Sequence, residues 1–153
     1  MADLSTDFIP CMLIPLRQHY LLLPNTTIAE VIPMPRYTPA TDKPKYSLGQ
    51  YIWHSHPLAI IDLESLVGQS EQQAKQANKL CVLYSINNDN NLQAYALPCY
   101  GAPQLIHLNE TALKLVEDGT VESEFLHCRT HIANKVAYIP NLDKLEEIVL
   151  QQL

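Results

Sequence analysis

Two histidines separated by one residue, His54-Ser55-His56, form the clearest potential metal-binding pattern in the chain. On a β-strand, residues two apart point to the same face, so both imidazoles could reach one metal ion. A zinc site needs a further ligand, and candidates occur later in the sequence: His127, Cys128 and His131. Ser55 and Pro57 instead indicate a turn, which would point the two rings apart. The sequence therefore predicts no metal and no cofactor. A metal-binding protein or enzyme that uses His54, His56, His127 and His131 is the alternative.

Motifs for catalysis are absent from the sequence. It has no G-x-S-x-G nucleophile motif, no G-x-G-x-x-G motif and no phosphate-binding P-loop. It also has no pair of carboxylates in a shared setting that would suit general acid–base chemistry. We therefore expect a protein that is not an enzyme and that acts through the surfaces it presents.

Glu30 and Trp53 are the residues best suited to such a surface. Glu30 interrupts an apolar strand, and strict alternation would place Ile28, Glu30 and Ile32 on one face of it. An exposed Glu on an edge strand is common, but a charge beside exposed isoleucines would also suit a partner contact. Trp53 is the only tryptophan in the chain, and its large ring suits either a barrel core or the wall of a groove.

Composition limits the class of protein. The chain has 153 residues, 47% of them apolar, which is enough for one globular domain with a substantial core. Its net charge of −6, with no cluster of basic residues, disfavours nucleic acid and anionic membranes as partners. No segment approaches the roughly 20 apolar residues of a membrane helix, and the acidic N-terminus does not resemble a signal peptide. Four widely spaced cysteines in apolar surroundings favour reduced thiols, so a cytoplasmic location without membrane insertion is predicted.

Short apolar runs separated by turn residues predict a mainly β fold, organised as two small five-stranded barrels with a few short helices and a C-terminal helix. One domain is expected over residues 11–150. The predicted segments, in chain order, are an N-terminal tail (1–10), a first barrel region (11–68), a polar linker (69–79), a second barrel region (80–140) and the C-terminal helix (141–153).

Three helices are predicted from capping residues. Asp62 precedes a short turn that ends at Gly68, and Asn141 precedes the final helix, whose apolar residues share one face. Asn109 is predicted to cap a helix over Glu110–Asp118.

The order of these elements resembles the CheW-like domain family. The resemblance covers about residues 11–148 and is most specific in the first half. The residues that carry it there are Tyr20–Pro24, Ile28, Glu30–Ile32, Gly49, Ile52-Trp53, His54-Ser55, Asp62-Leu63 and Gly68. In the family, Arg-Gly occupies the position of His54-Ser55. The presence of a tryptophan directly before this position resembles the pattern of CheW-like proteins from type IV pilus (twitching-motility) systems.

The resemblance implies two SH3-like barrels and a non-catalytic adaptor in bacterial signalling. Its expected partners are the regulatory domain of a CheA-type histidine kinase and the cytoplasmic tip of a methyl-accepting chemoreceptor. The expected partner-binding residues are Ile28, Glu30, Ile32, Trp53 and His54. The family arginine lies in a region associated with partner binding, so its replacement by His54 predicts an altered contact there. A β-barrel module for unrelated partners is the remaining alternative.

Overall fold

The computed structural model describes residues 9–17, 19–67, 77–87, 92–108, 114–115, 123–132 and 134–152. Twelve strands lie in these ranges: β1 (Ile9–Pro15), β2 (Tyr20–Pro24), β3 (Ile28–Pro33), β4 (Thr38–Pro39), β5 (Ser47–Trp53), β6 (His56–Ile61), β7 (Lys79–Tyr84), β8 (Ala94–Cys99), β9 (Gln104–Leu108), β10 (Lys114–Leu115), β11 (Leu126–Ile132) and β12 (Lys135–Pro140). The α-helices are α1 (Leu63–Leu66) and α2 (Leu142–Gln152), and a 3₁₀ turn spans Asn25–Thr27.

The strands form two six-stranded sheets, which confirms the mainly β fold. The central sheet has the order β3-β7-β8-β6-β5-β4, and the terminal sheet has the order β10-β11-β12-β2-β1-β9. Each sheet contains one parallel pair, β6 with β8 and β12 with β2, and is otherwise antiparallel. Each sheet has one edge strand of only two residues, β4 in the central sheet and β10 in the terminal sheet. These short strands account for six strands in each sheet where five are expected.

The chain is not divided between the sheets as the sequence predicts. The central sheet takes all its strands from Ile28–Cys99, whereas the terminal sheet combines β1 and β2 with strands that follow Gln104. The expected boundary between 11–68 and 80–140 therefore falls inside the central sheet. The sequence does not indicate this division, because the parallel pairing of β2 with β12 joins residues far apart in the chain.

The buried apolar residues in the described ranges form three clusters. The largest combines residues from both sheets with Leu145 and Val149 of α2, so it lies between the sheets. A second cluster belongs to the central sheet: Leu58, Ile60, Leu80, Val82, Ala94 and Ala96. A third belongs to the terminal sheet: Cys11, Leu13, Leu22, Leu108 and Ala137. Alternate residues of β6, β7 and β8 therefore face different clusters, as expected for strands that are covered on both faces.

A polar bridge also joins the two sheets. Arg17, in the connection between β1 and β2, donates from Nη2 to Asp62 Oδ2 at 3.1 Å and to the Tyr100 hydroxyl at 2.7 Å. Its backbone N–H donates to Glu64 Oε1 at 2.7 Å. Asp62 occupies the N-cap position of α1, but its carboxylate accepts from Arg17 and the Ser65 hydroxyl instead of capping a backbone N–H. The side-chain cap predicted from sequence is thus replaced by an ion pair.

The helices differ in how well the sequence predicts them. In α2 the predicted cap is confirmed, because Asn141 Oδ1 accepts from the Lys144 N–H at 3.3 Å. The predicted helix over Glu110–Asp118 is wrong at Lys114–Leu115, which pair as a strand with β11. The rest of that segment, Gly68 and most of the polar linker lie outside the described residues.

Candidate functional site

The hairpin of β5 and β6 ends in a tight two-residue turn. Trp53 pairs with His56, and the two residues between them, His54 and Ser55, have φ angles of +48° and +69°. Positive φ at both central residues gives a turn whose twist matches that of the strands, and such turns favour Asn-Gly. The predicted turn is therefore present, and His54 lies in it instead of beside His56 on a strand.

A bulge in β3 changes which residues share a face. The pairing of β3 with β7 shifts register between Ile28 and Glu30, so alternation is interrupted there. As a result, Ile28 packs against the cluster between the sheets, while Ile32 packs against the cluster of the central sheet. The predicted common face is therefore wrong for Ile28, whereas Glu30 and Ile32 follow the bulge and keep the regular alternation. Both isoleucines are partly buried, and Glu30 is exposed on the edge strand.

Glu30, Trp53 and His54 meet at one point on the surface. Trp53 donates its indole N–H to Glu30 Oε1 at 2.9 Å, and His54 Nε2 lies 3.5 Å from the same oxygen. The rings of Trp53 and His54 meet edge to face, with centroids 4.6 Å apart and planes at 74°. We call these three residues the acid–indole–imidazole surface. It forms because the central sheet curls until its edge strand β3 approaches the end of β5, although β3 and β5 are not neighbours in the sheet.

The electrostatics of this surface suit recognition. The side chains of His54 and Glu30 are 69% and 44% exposed, so their ion pair is screened by water and adds little stability. Both contacts of Glu30 within the described part of the chain use Oε1, which leaves Oε2 for another group. Trp53 also packs against the central cluster, which holds the indole in place. The three groups therefore present a carboxylate, an aromatic ring and an imidazole on a rigid support.

Ile52 is a surface residue that was not among the predicted site residues. Its side chain is 63% exposed, the most exposed large apolar side chain among the described residues. It lies between Tyr51 and Trp53, both of which pack against the central cluster. The alternation of inward-facing aromatic residues on β5 is the sequence signal that could have identified Ile52 as outward-facing.

The histidines of the metal alternative are placed in different sheets. His54 and His56 belong to the hairpin of the central sheet, whereas His127 and His131 lie on β11 of the terminal sheet and are exposed. Within the described ranges, no three or more His, Cys, Asp or Glu side chains are grouped so that they could hold a metal ion.

Two packed six-stranded β-sheets define the described part of this chain as a mainly β domain. Residues 10–148 match the family model of the CheW-like domain, and the protein therefore belongs to the CheW-like domain family. Its backbone is similar to that of the scaffolding protein TtCheW from Thermoanaerobacter tengcongensis, with a TM-score of 0.73 and 14% sequence identity over 93% of this chain and 90% of that chain. At this identity the likeness establishes the fold. The sequence matches none of the curated proteins compared with it.

The family assignment confirms the predicted resemblance and the fold that it implies. CheW-like domains are non-catalytic scaffolds, which agrees with the absence of catalytic motifs in the sequence. Of the five predicted partner-binding residues, the structure brings together Glu30, Trp53 and His54, and it places Ile28 and Ile32 in two different apolar clusters. None of the helices in the described ranges is both long and apolar enough to cross a membrane.

Proposed function

We propose that this protein is a cytoplasmic adaptor that couples a methyl-accepting chemoreceptor to a CheA-type histidine kinase. The family assignment over residues 10–148 is the observation that carries the proposal. In this role the protein would hold the cytoplasmic hairpin tip of the receptor on one surface and the regulatory domain of the kinase on another. It would perform no covalent step, because coupling requires only that both partners be bound in a fixed relation.

The acid–indole–imidazole surface is the partner contact that we propose. The side chains of Glu30 and His54 are accessible, and the partly buried Trp53 is anchored in the central cluster, so a partner would meet a preformed site. Preformed side chains lose little conformational entropy on binding, and tryptophan is enriched among the residues that contribute most to binding. The replacement of the family arginine by His54 adapts this contact to its own partner. The tryptophan at position 53 supports a place in a type IV pilus (twitching-motility) pathway.

Calorimetric titration of the purified protein against each partner tests the proposal. One titration uses the regulatory domain of the kinase, and the other uses a receptor fragment that contains the hairpin tip. We expect binding to at least one partner, weakened about ten-fold or more by Glu30→Gln or Trp53→Phe if these side chains are interface hot spots. Trp53→Phe retains an aromatic ring and removes the indole N–H that Glu30 accepts.

Glu147→Gln is the matched control, because it neutralises an exposed carboxylate on α2 and leaves the proposed surface unchanged. It should bind both partners as the parent protein does. Circular dichroism of each variant checks that the fold is retained. A folded protein that binds neither partner would overturn the adaptor role and favour a module for unrelated partners. Stoichiometric metal in the purified protein would favour the metal-binding alternative.

Replacement of His54 by arginine, the residue of the family pattern, tests whether the histidine alters partner binding. If the histidine adapts the contact, His54→Arg changes the affinity for the kinase domain or for the receptor fragment. His56→Arg, at the other end of the same turn, is the control for added charge. Equal affinities for the parent protein and His54→Arg would mean that residue 54 does not tune the contact.

A further inference from the structure

Glu30 and Trp53 combine the two features that bind a cationic side chain. A carboxylate offers an ion pair, and an indole offers the strongest aromatic surface for a cation. Here the two groups are joined by a hydrogen bond of 2.9 Å, and Glu30 Oε1 is already used by this bond. The second oxygen, Oε2, is left for a ligand. The −6 net charge of the chain adds a favourable long-range field for a basic ligand.

His54 is placed to compete for the same carboxylate. Its Nε2 lies 3.5 Å from Glu30 Oε1, and its ring is fixed by the edge-to-face contact with Trp53 and by its position in the tight turn. When the imidazole is protonated, it forms an ion pair with Glu30 and cancels the local negative charge. When the imidazole is neutral, Glu30 keeps its full charge for a ligand.

We infer that Glu30 and Trp53 form a binding site for an arginine or lysine side chain of a partner, and that protonated His54 competes for this site. Binding of the basic side chain therefore weakens as the pH falls and His54 gains a proton. Only the identity of the partner rests on the proposed adaptor function, since the cation site and its competitor are properties of this chain alone.

The groups that govern this pH dependence are few. Glu30 reaches His54 from β3, and its Oε1 lies 3.5 Å from His54 Nε2. His56, which pairs with Trp53 at the other end of the turn, is the second titratable group of the hairpin. Replacing His54 or His56 separately therefore assigns any transition between pH 5.5 and pH 8 to one of the two imidazoles.

Fluorescence of Trp53 gives a direct test, because it is the only tryptophan in the chain. The probe is a blocked arginine amide, and the matched control ligand is the corresponding citrulline amide, which has a similar shape and no charge. We expect the arginine probe to change the emission at pH 8, with an affinity roughly five-fold or more weaker at pH 5.5. The citrulline probe should have no effect.

Three variants isolate the contributions. In Glu30→Gln the response to arginine should be lost at both pH values. In His54→Gln binding should persist and become independent of pH, whereas His56→Gln should behave as the parent protein does. The proposal is overturned if the arginine probe gives no response at pH 8, or if His54→Gln keeps the pH dependence of the parent protein.

The partner titrations separate this inference from the adaptor role. Kinase-domain or receptor binding that weakens at pH 5.5 in the parent protein but not in His54→Gln extends the inference to the physiological partner. Binding of the arginine probe without binding of either partner would overturn the adaptor role and leave the cation site established. Partner binding that strengthens at low pH through His54 would show that the site takes an acidic group, contrary to the inference.

Discussion

Arg17 and Asp62 form an ion pair between two different sheets, with Nη2 and Oδ2 3.1 Å apart and both side chains nearly buried. Arg17 follows β1 of the terminal sheet, and Asp62 follows β6 of the central sheet. The pair is tied to its surroundings by Tyr100, which accepts from Arg17, and by Ser65, which donates to Asp62. The relative position of the sheets is therefore fixed by directional polar contacts as well as by apolar packing.

Removal of one charge of this pair should destabilise the protein strongly. Asp62→Asn removes the negative charge that lies 3.1 Å from the nearly buried Arg17 guanidinium, and we expect a loss of about 3 kcal/mol in the free energy of unfolding. Urea denaturation followed by circular dichroism measures the loss. The double variant Arg17→Met/Asp62→Asn should lose less than the sum of the two single variants. An additive result would mean that the pair contributes no coupling.

Glu146 anchors α2 to the central sheet through a buried carboxylate. It accepts hydrogen bonds from the Ile86 N–H at 2.6 Å, the Ser85 hydroxyl at 3.0 Å and the Asn87 side-chain amide at 2.9 Å. The Asn87 backbone N–H donates a fourth hydrogen bond to Glu146 Oε1 at 3.3 Å. Glu146→Ala removes all four, so it should lower the free energy of unfolding by about 3 kcal/mol. Glu147→Ala is the control, since the adjacent carboxylate is exposed, and its effect should stay within about 0.5 kcal/mol. Equal effects in the two variants would exclude the anchoring role.

The tight turn at Ser55 offers a stabilising substitution. Ser55 has a φ of +69°, a conformation that costs a residue with a Cβ roughly 1–2 kcal/mol and costs glycine almost nothing. Part of this gain is lost to the greater freedom of glycine in the unfolded chain, so Ser55→Gly should raise the free energy of unfolding by about 0.5–1 kcal/mol. Ser47→Gly, in a strand without positive φ, should instead be destabilising. Thermal denaturation of both variants checks the sign.

The buried thiols should resist ionisation. Burial raises the pKa of Cys81 to about 12 and that of Cys99 to about 11, and the other thiol adds to the effect at Cys81. Because these pKa values lie above that of a free thiol, about 8.5, the neutral thiols stabilise the fold fully below that pH. This stability is lost as the pH rises toward 11–12. The midpoint temperature of thermal unfolding should therefore decrease as the pH is raised above about 9.

Alkylation with iodoacetamide gives a second measure of the same property. At pH 8 in the folded protein, mass spectrometry should find Cys81 and Cys99 unmodified while the partly exposed Cys128 reacts first. In denaturant all four cysteines should react. Modification of Cys81 in the folded protein at the rate seen in denaturant would contradict the burial.

Local features of the fold could be predicted because they depend on neighbouring residues. The hairpin turn at His54-Ser55 and the cap at Asn141 both follow from short-range chemistry. Gly49 belongs to the family pattern, and the structure gives a reason, since a Cβ there would lie 2.1 Å from the carbonyl oxygen of Thr38. Such positions are set by the backbone within one hairpin or one helix end.

The remaining features depend on contacts between distant parts of the chain. The bulge between Ile28 and Glu30 is set by pairing with β7, and no residue type in β3 indicates it. The contact of Glu30 with Trp53 requires the curl of the whole central sheet. The sequence therefore predicts each of the two residues as a site residue but does not predict that they touch. The sequence likewise does not predict the pairing of β2 with β12, because these two strands are far apart in the chain.

The interleaved order of the strands also determines when each sheet can form during synthesis on the ribosome. Every strand of the central sheet has been made once Cys99 is complete, but β2 cannot meet its parallel neighbour β12 until Pro140 has been added. Until then β1 and β2 have no finished sheet to join, although they carry Ile14 and Leu21, which are fully buried in the folded protein. β1 and β2 are thus made before the other described strands but are among the last to be enclosed, so the nascent chain is exposed to aggregation through these two strands.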